Sequence, residues 1–91
     1  MDPTQLAQLI LDTIEKREYQ EAFRLADAFT ENNVLQPQIL EALLILTARL
    51  RSLCMDLAYR KADTGPGYAK LEDLLRKVNA LTGEDMYGRK P

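Results

Sequence analysis

The sequence contains no histidine and only one cysteine, Cys54. Histidine is the most common general base and metal ligand in proteins, and a cysteine nucleophile needs a neighbouring base or cation to ionise it. A single cysteine cannot form an internal disulfide, which suits a reducing compartment. These scarcities argue against an enzyme. We expect no catalytic residue, no metal and no cofactor, and we interpret Cys54 as a core thiol.

The remaining candidates for metal or phosphate chemistry lack the required sequence patterns. Acidic residues cluster at Glu15, Glu18 and Glu21, but the chain has no Asp-x-Asp-x-Asp-Gly loop of the kind that binds calcium. The stretch Gly65-Pro66-Gly67 is rich in glycine, yet no Lys-Ser/Thr pair follows it and no strand precedes it, as a phosphate-binding loop requires. We therefore interpret the acids as a solvated face and the glycines as a turn.

Long apolar runs are also missing. The richest apolar window, residues 39–50, still contains Glu41, Thr47 and Arg49 and has about half the length that crosses a bilayer. The N-terminus reads Met-Asp-Pro-Thr-Gln, without the basic region and apolar stretch of a secretion signal. The sequence therefore predicts a cytoplasmic protein with no membrane segment.

Glycine and proline, four of each, lie mainly at the ends and in two short breaks. A β-protein would need a turn every ~8–12 residues, so this punctuation indicates helices. With 46% hydrophobic and 29% charged residues, the composition is globular. The sequence predicts one all-α domain over residues 1–83, with helices at about 3–15, 18–31, 37–62 and 67–82, followed by a polar tail at residues 84–91.

The start of the first helix and the break after it can both be placed. Asp2 suits an N-cap and Pro3 the first helical position. No glycine or proline interrupts residues 4–32. At ~100° per residue, however, the apolar residues of 6–14 point about half a turn away from those of 19–29. We therefore predict a break near Lys16-Arg17-Glu18 between two helices.

Large, small and aromatic residues follow one another at Leu6, Leu9, Ile10, Tyr19 and Ala22. Their spacing resembles the first part of a tetratricopeptide repeat, which is a helical hairpin. Ala26 and Phe29 reverse the order of large and small residues that this family shows, and Val34 stands where proline is usual. The pattern covers about a third of the chain and occurs once, whereas a solenoid needs several copies. The resemblance implies a hairpin and carries no function over.

The third helix is the longest that the sequence predicts. Asn32-Asn33 can end the helix before it, and no breaker interrupts residues 38–62, a helical length of about 39 Å with Pro37 at its start. Apolar residues alternate steps of four and three along it, which forms a heptad seam of Ile39, Leu43, Leu46, Leu50, Leu53 and Leu57. A second apolar row, Ile45, Ala48, Met55 and Tyr59, runs beside the seam. We predict an up-down four-helix bundle around this helix and a homodimer whose interface is the seam.

Charge is divided unequally along the chain, since residues 1–45 carry a net charge of −5 and residues 46–91 a net charge of +3. This polarity suits self-association or an acidic partner, and opposite charges meeting within one monomer explain it equally well. Interfaces favour aromatic, methionine and arginine side chains, which gather in the second half of the chain. We predict a partner surface of Arg49, Met55, Tyr59, Arg60, Tyr68, Met86 and Tyr87, although Asp56 can pair with Arg60.

Two functions fit these features. The first is a small protein–protein interaction module, namely an adaptor, chaperone-like or inhibitory protein that occupies a partner's surface. The alternative is a nucleic-acid-binding transcriptional regulator that uses the basic C-terminal half. A helix-turn-helix through Val34 would present leucines and Glu41 to the bases, and these read a groove poorly. We therefore favour a protein partner over nucleic acid.

Overall fold

A computed structural model of the chain describes residues 2–28, residue 30, and residues 36–62 and 65–83. Within these ranges the chain forms four α-helices and no strand, which confirms the predicted all-α class. The helices are α1 (Pro3–Glu15), α2 (Tyr19–Ala28), α3 (Pro37–Tyr59) and α4 (Pro66–Thr82). The chain divides into two compact units, the N-terminal unit Met1–Leu46 and the C-terminal unit Thr47–Pro91, so α3 contributes residues to both.

α1 begins where the sequence supplies a cap. Asp2 has an extended backbone, and its Oδ1 accepts a hydrogen bond of 2.8 Å from the N–H of Gln5. This bond satisfies one of the amide donors that the start of a helix leaves open. Pro3 has no N–H to satisfy at the first helical position. The predicted cap is therefore confirmed.

α1 and α2 separate at the predicted break. Arg17 has a left-handed conformation with φ 62°, and its N–H donates to the carbonyl of Ile14 at 2.9 Å. The next amide, that of Glu18, donates to the carbonyl of Thr13 at 3.1 Å. This pair of bonds is a Schellman motif, which ends a helix by satisfying its last carbonyls. The connection therefore needs only three residues, 16–18.

The two helices of the hairpin pack against each other. α1 buries one face, and α2 contributes the small residues Ala22 and Ala26, which have no exposed surface. The Thr30 hydroxyl donates to the carbonyl of Ala26 at 2.8 Å and so satisfies a carbonyl near the end of α2. The predicted end of this helix near residue 31 lies outside the described residues. The buried residues of α1 are Leu6, Ala7, Ile10, Thr13 and Ile14.

α3 ends three residues earlier than predicted, at Tyr59. Lys61 is left-handed with φ 57°, its N–H donates to the Ala58 carbonyl at 3.0 Å, and the Ala62 N–H donates to the Leu57 carbonyl at 2.8 Å. These bonds form a second Schellman motif. The predicted end at residue 62 is therefore wrong. The sequence did not reveal the earlier end, because the left-handed position is taken by a lysine and not by a glycine or asparagine.

α4 begins at Pro66, one residue before the predicted start, because proline suits the first helical position. It ends at Thr82 as predicted, and the C-cap that follows is Gly83, which is left-handed with φ 79° and donates its N–H to the Asn79 carbonyl at 2.8 Å. Its buried face holds Leu74, Leu75, Val78 and Asn79, and its outer face carries two ion pairs, Glu72–Arg76 at 2.5 Å and Asp73–Lys77 at 3.2 Å. The predicted polar tail lies outside the described residues.

Candidate partner-binding groove

The heptad seam of α3 is covered along most of its length. Leu43, Leu46 and Leu50 have no exposed surface, and Ile39 is 2% exposed. A side chain that the folded chain already covers has no surface to give to a second copy. Of the predicted dimer interface, only Leu53 and Leu57, which are half-buried, retain surface for that contact.

The second apolar row of α3 faces solvent in the C-terminal unit. Tyr59 is 90% exposed and Met55 is 72% exposed. Because they are four residues apart, these side chains are neighbours on one face of the helix. Single exposed apolar residues are ordinary, but adjoining large ones mark contact surfaces. This pair is therefore the first component of a candidate site.

A groove of about 560 Å³ opens beside Met55 within the C-terminal unit. Its walls are the last part of α3 and the first part of α4. Cys54 and Leu75, which are 7% and 2% exposed, form a buried apolar floor, while Met55 and Arg76 stand exposed at the rim. We call this site the α3–α4 groove; it is lined by Arg51, Cys54, Met55, Ala58, Tyr68, Glu72, Leu75 and Arg76.

Among the described residues, three charged side chains line the groove, namely Arg51, Glu72 and Arg76. Nη2 of Arg76 donates to Oε1 of Glu72 across one turn of α4. Burial raises the pKa of the Cys54 thiol, and the negative charge of Glu72 raises it further. The thiol is therefore protonated near neutral pH, where it behaves as the core cysteine that the sequence predicts.

Of the five predicted partner residues that the structure describes, two line the groove, Met55 and Tyr68. Sequence reasoning missed the six others that line it. The signal was partial, because α3 and α4 each supply four lining residues at steps of one, three or four. These steps mark one strip on each helix, but the sequence does not say which strips meet, so Arg51, Cys54, Ala58, Glu72, Leu75 and Arg76 were not found.

Three other predicted partner residues are exposed but do not line the groove, namely Arg49, Tyr59 and Arg60. Nε of Arg60 lies 3.4 Å from Oδ1 of Asp56, which confirms the predicted pair. The tail residues Met86 and Tyr87 lie outside the described residues.

The acidic cluster of the N-terminal unit is a solvated surface. Glu15 and Glu18 are exposed, and Glu21 accepts hydrogen bonds from Nε and Nη2 of Arg24. This hydrogen-bonded pairing lowers the pKa of Glu21 and raises that of Arg24. Across the described part of the chain, no three cysteine or acidic side chains converge as metal ligands would.

No known protein family, curated protein or solved structure matches this chain. In the described ranges, no helix has both the length and the apolar character needed to cross a membrane. The structure defines the class of the protein as all-helical, and the α3–α4 groove is the feature from which a function can be argued.

Proposed function

We propose that this protein is a protein–protein interaction module that acts by occupying a partner's surface, as an adaptor, chaperone-like or inhibitory protein does. The contact site is the α3–α4 groove together with Tyr59. One observation carries the proposal: Tyr59 and Met55 are 90% and 72% exposed beside an apolar groove of about 560 Å³. Tyrosine and methionine are enriched at interfaces because they bury a large area.

A protein partner suits the groove better than nucleic acid does. Proteins hold nucleic acid chiefly through basic side chains on phosphates. Here Cys54 and Leu75 give the groove an apolar floor, which suits the apolar side chains of a protein. A salt titration separates the two functions, because several phosphate contacts would make the affinity fall steeply with salt.

The proposal is tested by capturing partners from an extract of the cells that make the protein, with quantitative mass spectrometry. We expect a partner that binds the wild type and is lost with Tyr59→Ala and with Met55→Glu. Lys70→Glu is the matched control, since Lys70 is an exposed residue of α4 that does not line the groove. All variants should melt within a few degrees of the wild type. A partner that both groove variants retain would contradict the proposed site.

We further propose that the four helices form one up-down bundle around α3. The support is that residues 37–46 of this helix belong to one compact unit and residues 47–59 to the other. Short connections at residues 16–18 and 60–65 favour antiparallel neighbours. Calorimetry should then give one cooperative transition, and two separate transitions would contradict a single bundle.

We also propose that the protein forms a homodimer, now restricted to the end of the seam where Leu53 and Leu57 retain surface. Two copies related by a two-fold axis would cover the same patch on each.

Finally, we propose a cytoplasmic location, because the buried Cys54 is a free thiol. Cell fractionation with an antibody to the protein tests the location.

A further inference from the structure

We infer that the partner segment which fills the α3–α4 groove is an amphipathic helix whose apolar face is flanked by acidic side chains. This inference rests on the proposed function, since it names the chemistry of the partner at the same site. Two independent properties of the groove support it, namely the dimensions of its walls and the balance of charge around it.

The dimensions favour a helix over an extended segment. The α3 wall runs from Arg51 to Ala58, seven steps of about 1.5 Å, or about 10 Å. A helix presents residues i, i+3 or i+4, and i+7 over that same length, so three side chains can enter. A strand repeats its side chains on one face every ~6.6 Å and would offer only two. A strand also needs a sheet edge, and the described residues of this chain form no strand.

The charge around the groove favours acids on that helix. The described residues of the C-terminal unit include seven basic and three acidic side chains. Three acids of the unit pair with basic residues four positions further along the chain, as Asp56–Arg60, Glu72–Arg76 and Asp73–Lys77. Residues 47–91 as a whole hold nine basic and six acidic side chains, a net charge of +3, and each wall of the groove carries one arginine, Arg51 or Arg76. Acidic side chains beside the apolar face of the occupant would complement this field.

The experiment selects helices from a displayed peptide library. Each peptide fixes leucine at positions i, i+3, i+4 and i+7, and its flanking positions are drawn equally from glutamate, lysine and glutamine. We expect the wild-type protein to enrich peptides with flanking glutamate. A synthetic peptide of the selected sequence should slow alkylation of Cys54, the one thiol of the chain, because it covers the groove floor. Met55→Glu should abolish binding of that peptide.

A charge reversal within the groove tests the role of the acids. Arg76→Glu should weaken the acidic peptide about fivefold to tenfold and favour its lysine counterpart. Lys77→Glu is a closely matched control. It makes the same change in net charge and also breaks an ion pair of α4, but Lys77 does not line the groove. We expect it to change the affinity less than about twofold.

The outcomes separate this inference from the proposed function. Selected helices flanked by lysine, or by no preferred charge, would overturn the acidic partner and leave the groove as the contact site. Equal effects of Arg76→Glu and Lys77→Glu on the affinity would also overturn the acidic partner, because the peptide would then respond to the net charge of the protein and not to the groove. If no selected helix is sensitive to Met55→Glu, the proposed site fails as well. A wild-type dimer that Arg76→Glu dissociates would show that a second copy occupies the groove, and would overturn the inference.

Discussion

Cys54 on α3 and Glu72 on α4 line the same groove, and the Glu72 carboxylate raises the pKa of the Cys54 thiol. Burial disfavours the charged thiolate and raises the pKa of Cys54, and the nearby negative charge of Glu72 raises it further. Because Cys54 is the sole cysteine, any thiol reactivity of the protein reports on this groove alone.

We expect the rate of Cys54 alkylation to rise with pH around a midpoint above that of a free thiol. Glu72→Gln removes the negative charge, which favours the thiolate, so the midpoint should move to lower pH. Asp73→Asn, at an exposed position that does not line the groove, should leave the midpoint unchanged. Iodoacetamide rates measured from pH 6 to pH 11 check this prediction. The midpoint of the rate profile reports the pKa, whereas steric access to the thiol changes only the plateau rate. An unshifted midpoint in Glu72→Gln would show that burial alone sets the pKa.

Glycine at the left-handed helix ends should stabilise the protein. Arg17 and Lys61 adopt φ values of 62° and 57°, which cost a residue with a β-carbon about 1–2 kcal/mol. Part of the gain is offset by the flexibility of glycine and the loss of a positive charge at a helix C-terminus. We expect each of Arg17→Gly and Lys61→Gly to raise the free energy of unfolding by about 0.5–1 kcal/mol.

The control for that prediction is Lys16→Gly. Lys16 is adjacent to Arg17 and equally basic, but its φ is −79°, so glycine removes no strain there. Urea denaturation should show Lys16→Gly to be neutral or destabilising. If Arg17→Gly were no more stable than Lys16→Gly, the left-handed conformation would not be costly in this protein.

The N-cap of α1 should be worth about 1 kcal/mol. Asp2→Ala removes the oxygen that accepts the Gln5 amide, so the free energy of unfolding should fall by that amount. Asp2→Asn keeps a capping oxygen and loses only the charge, and it should stay close to the wild type. Chemical denaturation of the three proteins measures the difference. Equal losses in both variants would assign the effect to charge and not to the cap.

Two adjacent residues of α3 should respond differently to truncation. Leu46 has no exposed surface, whereas Ile45 is 47% exposed. Leu46→Ala leaves a cavity and should cost about 2–5 kcal/mol. Ile45→Ala removes partly hydrated methyl groups and should cost about 1 kcal/mol. Similar losses in the free energy of unfolding would mean that another surface covers Ile45.

The proposed homodimer makes a prediction about the seam. At about 100 μM, well above the nM–μM dissociation constants of ordinary specific dimers, the wild type should sediment as a dimer. Leu53→Glu should give a folded monomer, because this side chain is only half-buried. Leu50→Glu should unfold the chain, because it places a charge at a position with no exposed surface. A wild-type monomer at this concentration would contradict the dimer.

The features predictable from sequence are those decided by neighbouring residues. The Asp2 cap depends on an amide three residues away, and the break at residues 16–18 depends on the phase of apolar residues on either side. The end of α3 was harder to predict, because the left-handed residue there is Lys61 and not the glycine that usually marks a helix end. The pattern of the sequence could not show this, since a lysine continues a helix as readily as it ends one.

The candidate site was predicted only in part, because it depends on which faces of two helices meet. Met55 and Tyr68 were predicted from residue type alone. Arg51, Glu72 and Arg76 join them only because α3 and α4 turn particular strips towards each other, which neither helix specifies by itself. The seam shows the same limit: its heptad spacing fits either a second copy or the chain's own core, and Leu50 lies fully buried in the folded chain.

α3 is one helix, yet the boundary between the two compact units falls within it, between Leu46 and Thr47. A fragment cut at this boundary would begin in mid-helix, and its first four amides would lose the carbonyls to which they donate. The last carbonyls of the other fragment would lose the amides from which they accept hydrogen bonds. Removing either half would therefore damage the helix in the half that remains and would lower binding. Deletion mapping would then wrongly place a binding site in both halves. Point substitutions on an intact α3 are the sound way to locate a partner on this molecule.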